Sequence, residues 1–331
     1  MKKIISSILL GTMVLASLTG CQKKASGLTP VTLNEVAHSI FYAPQYAAIE
    51  LGYFKEEGID LTLVNGAGAD KVMTALIAKE ADIGFMGSEA TIYAYAGKED
   101  DYAVNFAQLT QRAGNFLVGR EPEADFQWEN LIGKKVLGGR AGGMPEMVFE
   151  YILKKHGIDP ETDLSIDRSI SFGLTAAAFT SNDADYTVEF EPFATGLEKE
   201  GNGYVVASLG KDSGYVPYTA YSARKSYIEK NPEIIQKFTN AIQKGMDYVN
   251  SHTAEEIAEV IKPQFKETDT ETIATIIERY KEQDTWKGDT IFEAESFDLL
   301  QNILEEAGEL PERVSYEDLV TTEFSKKAAG K

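Results

Sequence analysis

What most limits the fold of this chain is an alternation. From Val31 to Ser208, short apolar runs of strand length are separated repeatedly by stretches with helical spacing. Val31–Ala37, Ile59–Val64 and Asp82–Phe85 read as strands, with helices between and after them from Pro44 to Gly52, at Ala69–Lys79 and at Ala90–Tyr95. The pattern continues through strands at Tyr102–Gln108, Asn115–Val118, Lys135–Gly138, Asp163–Arg168, Asp185–Glu189 and Tyr204–Ser208. Helices are expected at Met144–Lys155, Leu174–Phe179 and Phe193–Glu198. A strand that feeds a helix meets the next strand only through a crossover, which makes the sheet mostly parallel and covers it with helices. The expected class is α/β.

A coarse echo refines this. A strand, a glycine-rich loop and a helix occur around Gly66-Ala67-Gly68 and again around Gly138-Gly139-Arg140-Ala141-Gly142-Gly143. Two similar α/β lobes fit the echo, and such sheets bind ligands at the C-terminal edge of their strands. Past Tyr221 the texture turns helical. Asn231 is placed to cap and Pro232 to start a helix whose stripe is Ile234, Ile235, Phe238, Ile242, Met246 and Val249. Further helices follow at Thr253–Ile261, Glu271–Tyr280 and Glu293–Glu305.

The N-terminus sets the expected compartment. Lys2 and Lys3 precede an apolar run from Ile4 to Leu18, the layout of a secretory signal and too short to span a bilayer stably. Leu18-Thr19-Gly20-Cys21 resembles the lipobox of bacterial lipoproteins, and Cys21 is the only cysteine. Lipidation of Cys21 on the outer face of the cytoplasmic membrane is the expectation, with 1–20 as signal and 21–30 as flexible tether. The last residues, 326–331, read as a frayed tail. The formal charge is −20, which argues against nucleic acid, whose binding rests on neutralising phosphates. With three histidines and no ligand-spaced partners, no metal or cofactor is expected.

Four further pieces carry a family resemblance. They are His38 to Ala48 with Gly52 to Asp60, Ala78 to Ser88, Leu131 to Val136, and Glu191-Pro192-Phe193. In this order the chain resembles the SsuA/THI5-like (NMT1-like) solute-binding proteins. The resemblance implies a periplasmic-binding-protein type II fold: two α/β lobes, a hinge, and a ligand cleft between them. It implies lobe 1 from 31–110 plus 222–325, lobe 2 from 111–221, and crossings near Thr110–Gly114 and Pro217–Ser222. It also implies a monomer that hands a small organic solute to an ABC permease with its cytoplasmic ATPase. Family members serve importers of sulfonates, taurine, nitrate or pyrimidine precursors of thiamine. The THI5-like pyrimidine-synthesising enzymes share the fold but resemble cytoplasmic proteins with a cysteine-rich iron motif, which this chain lacks.

Candidate ligand contacts follow from loops after strands. His38, Phe41 and Tyr42 offer rings and a hydrogen-bonding imidazole, or pack in their own lobe. Gly66 and Gly68 let backbone N–H groups approach a ligand or make a tight turn; Lys71 breaks any dinucleotide fingerprint there. Ser88 is either a helix N-cap or a ligand hydroxyl, beside Glu89, and Asn115 opens the strand after the first crossing. Arg140 with Gly142, Gly143 and Met144 at a helix start suits an anion. Glu189 and Glu191 point the other way, toward an amine or aminopyrimidine, with Glu191 nearer the family motif. The aromatic-plus-carboxylate set favours a nitrogen heterocycle over a sulfonate, taurine or nitrate-type anion.

Overall fold

The computed structural model describes residues 27–331 except 99, 172 and 311, so the signal and Cys21 lie outside the described residues. In chain order the first half runs β1 (Thr29–Glu35), α1 (Ala43–Glu50), α2 (Tyr53–Glu56), β2 (Ile59–Asn65), α3 (Ala69–Ile77), β3 (Ile83–Gly87), α4 (Glu89–Ala96) and β4 (Ala103–Thr110). Next come β5 (Phe116–Gly119), β6 (Lys135–Leu137), α5 (Met144–Lys155), β7 (Ser165–Asp167), α6 (Thr175–Ser181), β8 (Tyr186–Glu189), α7 (Phe193–Lys199), β9 (Tyr204–Ser208) and α8 (Leu209–Asp212). The chain closes with β10 (Thr219–Arg224), α9 (Lys225–Lys230), α10 (Pro232–Ser251), α11 (Ala254–Ile261), α12 (Thr270–Glu282), α13 (Ala294–Glu306), α14 (Tyr316–Leu319) and α15 (Glu323–Ala328).

These strands form two five-stranded sheets, ordered β2-β1-β3-β10-β4 and β7-β6-β8-β5-β9. The sheets share one plan. Three parallel strands joined by helical crossovers are followed by one antiparallel strand and then a last strand. In each sheet the antiparallel strand is the one that arrives from the other: β5 after the first crossing, β10 after the second. Both crossings therefore end in hydrogen-bonded ladders, which anchors the lobes at two neighbouring points.

Why the first sheet is the better buried follows from its cover. β3, β4 and β10 are buried along their whole length, whereas the edge strand β2 alternates. Of the stripe expected on α10, Ile235, Phe238, Ile242, Met246 and Val249 are buried, while Ile234 is only half-buried. Each such side chain is worth about 1.5–3 kcal/mol of transfer free energy. α10 lies so close on α1 that a Cβ on Gly245 would collide with the Pro44 carbonyl and Ala48. Asn231 does not cap α10: its amide donates to the Tyr227 carbonyl at 3.0 Å instead. Thr253 with Glu256 makes a reciprocal capping box on α11, and Asp269 caps α12.

Both expected ends need correction. Thr29 and Pro30 are not tether, because they pair with Ile59 and Asp60 in the first sheet. The last residues are not frayed. α15 packs on α10, and the Lys331 ammonium lies 2.6 Å from Asp289. Thr219 to Tyr221 belong to the first sheet rather than the second lobe, since β10 pairs with β3 and β4. Among the described residues no helix is long and apolar enough to cross a membrane.

Candidate functional site

A cavity of about 100 Å³ lies between the two sheets, and its walls come almost entirely from the C-terminal ends of parallel strands. The first sheet contributes Val36 after β1, Gly68 and Ala69 between β2 and α3, and Gly87 and Glu89 between β3 and α4. The second contributes Gly139, Arg140, Gly143, Met144 and Pro145 between β6 and α5, Gly173 and Thr175 between β7 and α6, and Val188, Glu189, Phe190 and Phe193 around β8. Asn115, Tyr218 and Thr219 come from the two crossings, and Tyr42 from a short 3-10 turn, Ile40–Tyr42, before α1.

Two acids face this space from opposite sheets. Glu89 opens α4, is 4% exposed, and its Oε2 has no hydrogen-bond partner among the described residues. Burial pushes its carboxyl up to about 7; its own backbone N–H and the charge of Arg140 oppose the rise. Gly87 makes room for it, because any Cβ there would occupy the space of the Glu89 carboxylate. Glu189 is likewise pushed to about 7 by burial, against hydroxyls of Thr187 at 2.6 Å and Thr175 at 2.9 Å that favour the charged form.

The remaining polar group at depth is Asn115. It is 0% exposed, and the Tyr218 hydroxyl donates to its Oδ1 at 2.7 Å. That bond orients the amide and leaves Nδ2 buried without a partner. Burial holds the Tyr218 phenol far above its ordinary range, so it stays a donor. Around these groups stand Tyr42, Phe190, Phe193 and Tyr218, four rings in a small space. Arg140 is exposed at the start of the turn into α5, where its carbonyl accepts from the Gly143 N–H at 3.2 Å.

Of the expected contacts, Tyr42, Gly68, Glu89, Asn115, Arg140, Gly143, Met144 and Glu189 line the cavity. Six others do not. His38 turns into its own lobe, with Nδ1 2.8 Å from Glu35 and Nε2 3.0 Å from the Gln264 carbonyl. Phe41 packs in an aromatic cluster with Tyr42, Phe190, Tyr218 and Tyr280. Gly66 is hemmed in by Asn34 and Val72, and Gly142 lies beside Glu309 with its N–H donating to Glu146 at 3.2 Å. Ser88 holds the N-cap position of α4, but its hydroxyl makes no cap bond and instead donates to the Pro217 carbonyl, tying α4 to the second crossing.

Glu191 is the largest correction. It is 0% exposed and pairs with Arg279 of α12 at 2.9 Å, while the Thr195 N–H and hydroxyl each donate to it at 2.9 Å. Its acceptors are spent inside the fold. Thr175, Phe193, Tyr218 and Gly173 were missed, although Phe193 follows a strand whose end was already marked as ligand-facing. Nothing in their own residue types singles them out.

With the geometry in place, three comparisons bear on it. The sequence profile of the NMT1/THI5-like family matches residues 40–256. YtlA of Bacillus subtilis (strain 168), whose name makes it a candidate binding protein, is 45% identical over 311 residues, covering 94% of this chain and 93% of that protein. The 4-amino-5-hydroxymethyl-2-methylpyrimidine phosphate synthase THI11 of Saccharomyces cerevisiae is 26% identical over 246 residues, 68% of each chain. Among solved structures, the alkanesulfonate-binding protein SsuA of Xanthomonas axonopodis pv. citri bound to MOPS superposes with a TM-score of 0.71 at 14% identity, covering 88% of this chain and 98% of that one. The fold is thus that of the periplasmic binding proteins.

Proposed function

The chain belongs to the NMT1/THI5-like family, and we propose that it is the solute-binding component of an ABC importer. In this reading it closes two lobes, 29–110 with β10 and the C-terminal helices and 111–218, on one small organic molecule. It then hands that molecule to a membrane permease driven by a cytoplasmic ATPase. The observation that carries the reading is the cavity: enclosed between two like sheets, walled by rings, and equipped with two buried carboxyls and a buried amide. Its described lining contains no serine, cysteine, histidine or lysine. Serine, cysteine and lysine nucleophiles and a histidine base are thus absent from the described lining, which offers threonine, tyrosine and glutamate instead. What favours capture over the synthase activity of the yeast relatives is that the relative named for binding is 45% identical and the synthase 26%.

The ligand this lining favours is a nitrogen heterocycle such as a pyrimidine precursor of thiamine, with rings to stack on and acids to accept its N–H groups. The second reading, a sulfonate or similar anion, rests on Arg140 standing exposed where the chain turns into the twelve-residue α5. Attachment through a lipidated Cys21 on the outer face of the membrane, and action as a monomer, complete the proposal.

A thermal-melt screen of the full chain tests it, with aminopyrimidines, thiamine, sulfonates, taurine, nitrate, amino acids and riboflavin. A ligand at about a hundred times its dissociation constant adds about 2.7 kcal/mol. A specific shift with any of these supports solute capture and identifies the class. No shift across the panel, from protein that mass spectrometry shows free of co-purified solute, counts against it.

A further inference from the structure

Two residues that line the cavity each carry a buried polar atom with no hydrogen-bond partner among the described residues: Glu89 Oε2 and Asn115 Nδ2. Their senses are opposite. As a carboxylate oxygen the first accepts, and as an amide nitrogen the second only donates. A buried polar atom left unpaired costs about 1–3 kcal/mol, and folded proteins leave few of them. Both are also held in place. The Tyr218 hydroxyl fixes the Asn115 amide at 2.7 Å, and the missing side chain of Gly87 leaves the room that the Glu89 carboxylate fills. Such preorganisation is what a recognition pair needs.

We propose that Glu89 and Asn115 together read one edge of the solute, an amino group on a ring carbon next to an unprotonated ring nitrogen, as on the 4-amino edge of a pyrimidine. This inference rests on the capture reading above and specifies its chemistry. The amino N–H donates to Glu89 while the ring nitrogen accepts from Asn115, so one planar edge satisfies both. An alkyl amine satisfies Glu89 only. A sulfonate can accept from Asn115 and sit beside Arg140, but it brings Glu89 no donor. A hydrocarbon satisfies neither. Tyr42, Phe190, Phe193 and Tyr218 then cover the faces of the ring rather than its edge. Glu89 belongs to the first sheet's rim and Asn115 to the segment entering the second, so a ligand bonded to both holds the lobes together.

The experiment is calorimetric titration of the full chain with a matched pair, 4-amino-2-methylpyrimidine and 2,4-dimethylpyrimidine, which differ only in the amino group. The amino compound is expected to bind at least tenfold tighter than the methyl compound. In Glu89→Leu that preference collapses to about onefold, and Asn115→Leu weakens both pyrimidines at least tenfold, because both keep the ring nitrogen. Glu89→Gln, the conservative change, retains part of the preference, since its amide oxygen still accepts. The inference is overturned if Glu89→Leu keeps the full preference, if Asn115→Leu binds as the parent does, or if neither pyrimidine binds. If the pyrimidines fail while a sulfonate or taurine binds, this edge-reading is wrong and solute capture stands. The ratio between the paired ligands isolates recognition from any general loosening of the fold.

Discussion

Glu89 should make the unliganded protein less stable than it needs to be, and Glu89→Gln should show by how much. Burial raises the carboxyl from its ordinary 4.5 to about 7. Between those two values the folded chain holds a proton that the unfolded chain has released, so stability falls as pH rises through that window and levels off above it. At about 1.4 kcal/mol per tenfold, the full loss is about 3 kcal/mol. Glutamine keeps the shape and cannot ionise. The variant and parent should therefore be nearly equally stable near pH 5, and the variant more stable by about 3 kcal/mol at pH 8.5. Urea denaturation of both proteins at pH 5, 7 and 8.5 measures this, and other titrating groups cancel in the difference. A melting temperature several degrees higher for the variant at pH 8.5 is the thermal counterpart. Equal pH slopes in the two proteins would refute the reasoning, since Glu89 would then ionise as freely folded as unfolded. A gain in stability coupled to a loss of binding is what a site kept for function predicts.

Other outcomes follow from single contacts. Arg279→Leu leaves Glu191 buried with only Thr195 to satisfy it, and should cost about 2–4 kcal/mol in urea, whereas Arg279→Lys should cost less. Gly245→Val should destabilise by more than 2 kcal/mol, because α10 would have to move off the Pro44 carbonyl; far-UV circular dichroism against temperature will show it. His38 bonds two acceptors, so both its nitrogens carry protons, and the Glu35 carboxylate raises its pKa above 6.5. Its contribution should be complete below pH 6.5 and fade as pH rises through the raised value, so the cost of His38→Ala, about 2 kcal/mol at pH 5.5, should shrink by pH 9. Cys21→Ala should move the protein from membranes to the medium on fractionation, and continued retention would sink the lipid anchor.

Much of the architecture was legible because it rests on local periodicity. Period-two and period-3.6 runs located nine of the ten strands and most of the stripe of α10 but missed β10, whose place between β3 and β4 is set by distant pairing, and the glycine loops near Gly68 and Gly139 marked the two sheet edges that meet at the cavity. Loop position after a strand was also enough to nominate Glu89, Arg140 and Glu189, since the C-terminal end of a parallel strand faces the cleft whatever the side chain. What a side chain does once there was not legible. Glu189 and Glu191 sit two residues apart on one turn, and only the arrival of Arg279 from 88 positions away decides that the second is consumed by the fold while the first faces the ligand. Ser88 and His38 were diverted in the same way, by Pro217 and by Gln264, partners that the local sequence does not contain. The sequence by itself determined most of the longer strands and helices and which loops crowd the cleft, because those depend on neighbours within a few residues, but not β10 or α15, which form against distant segments. The tertiary structure decided which polar atoms were left unpaired, because a hydrogen bond is spent or saved only when distant segments meet.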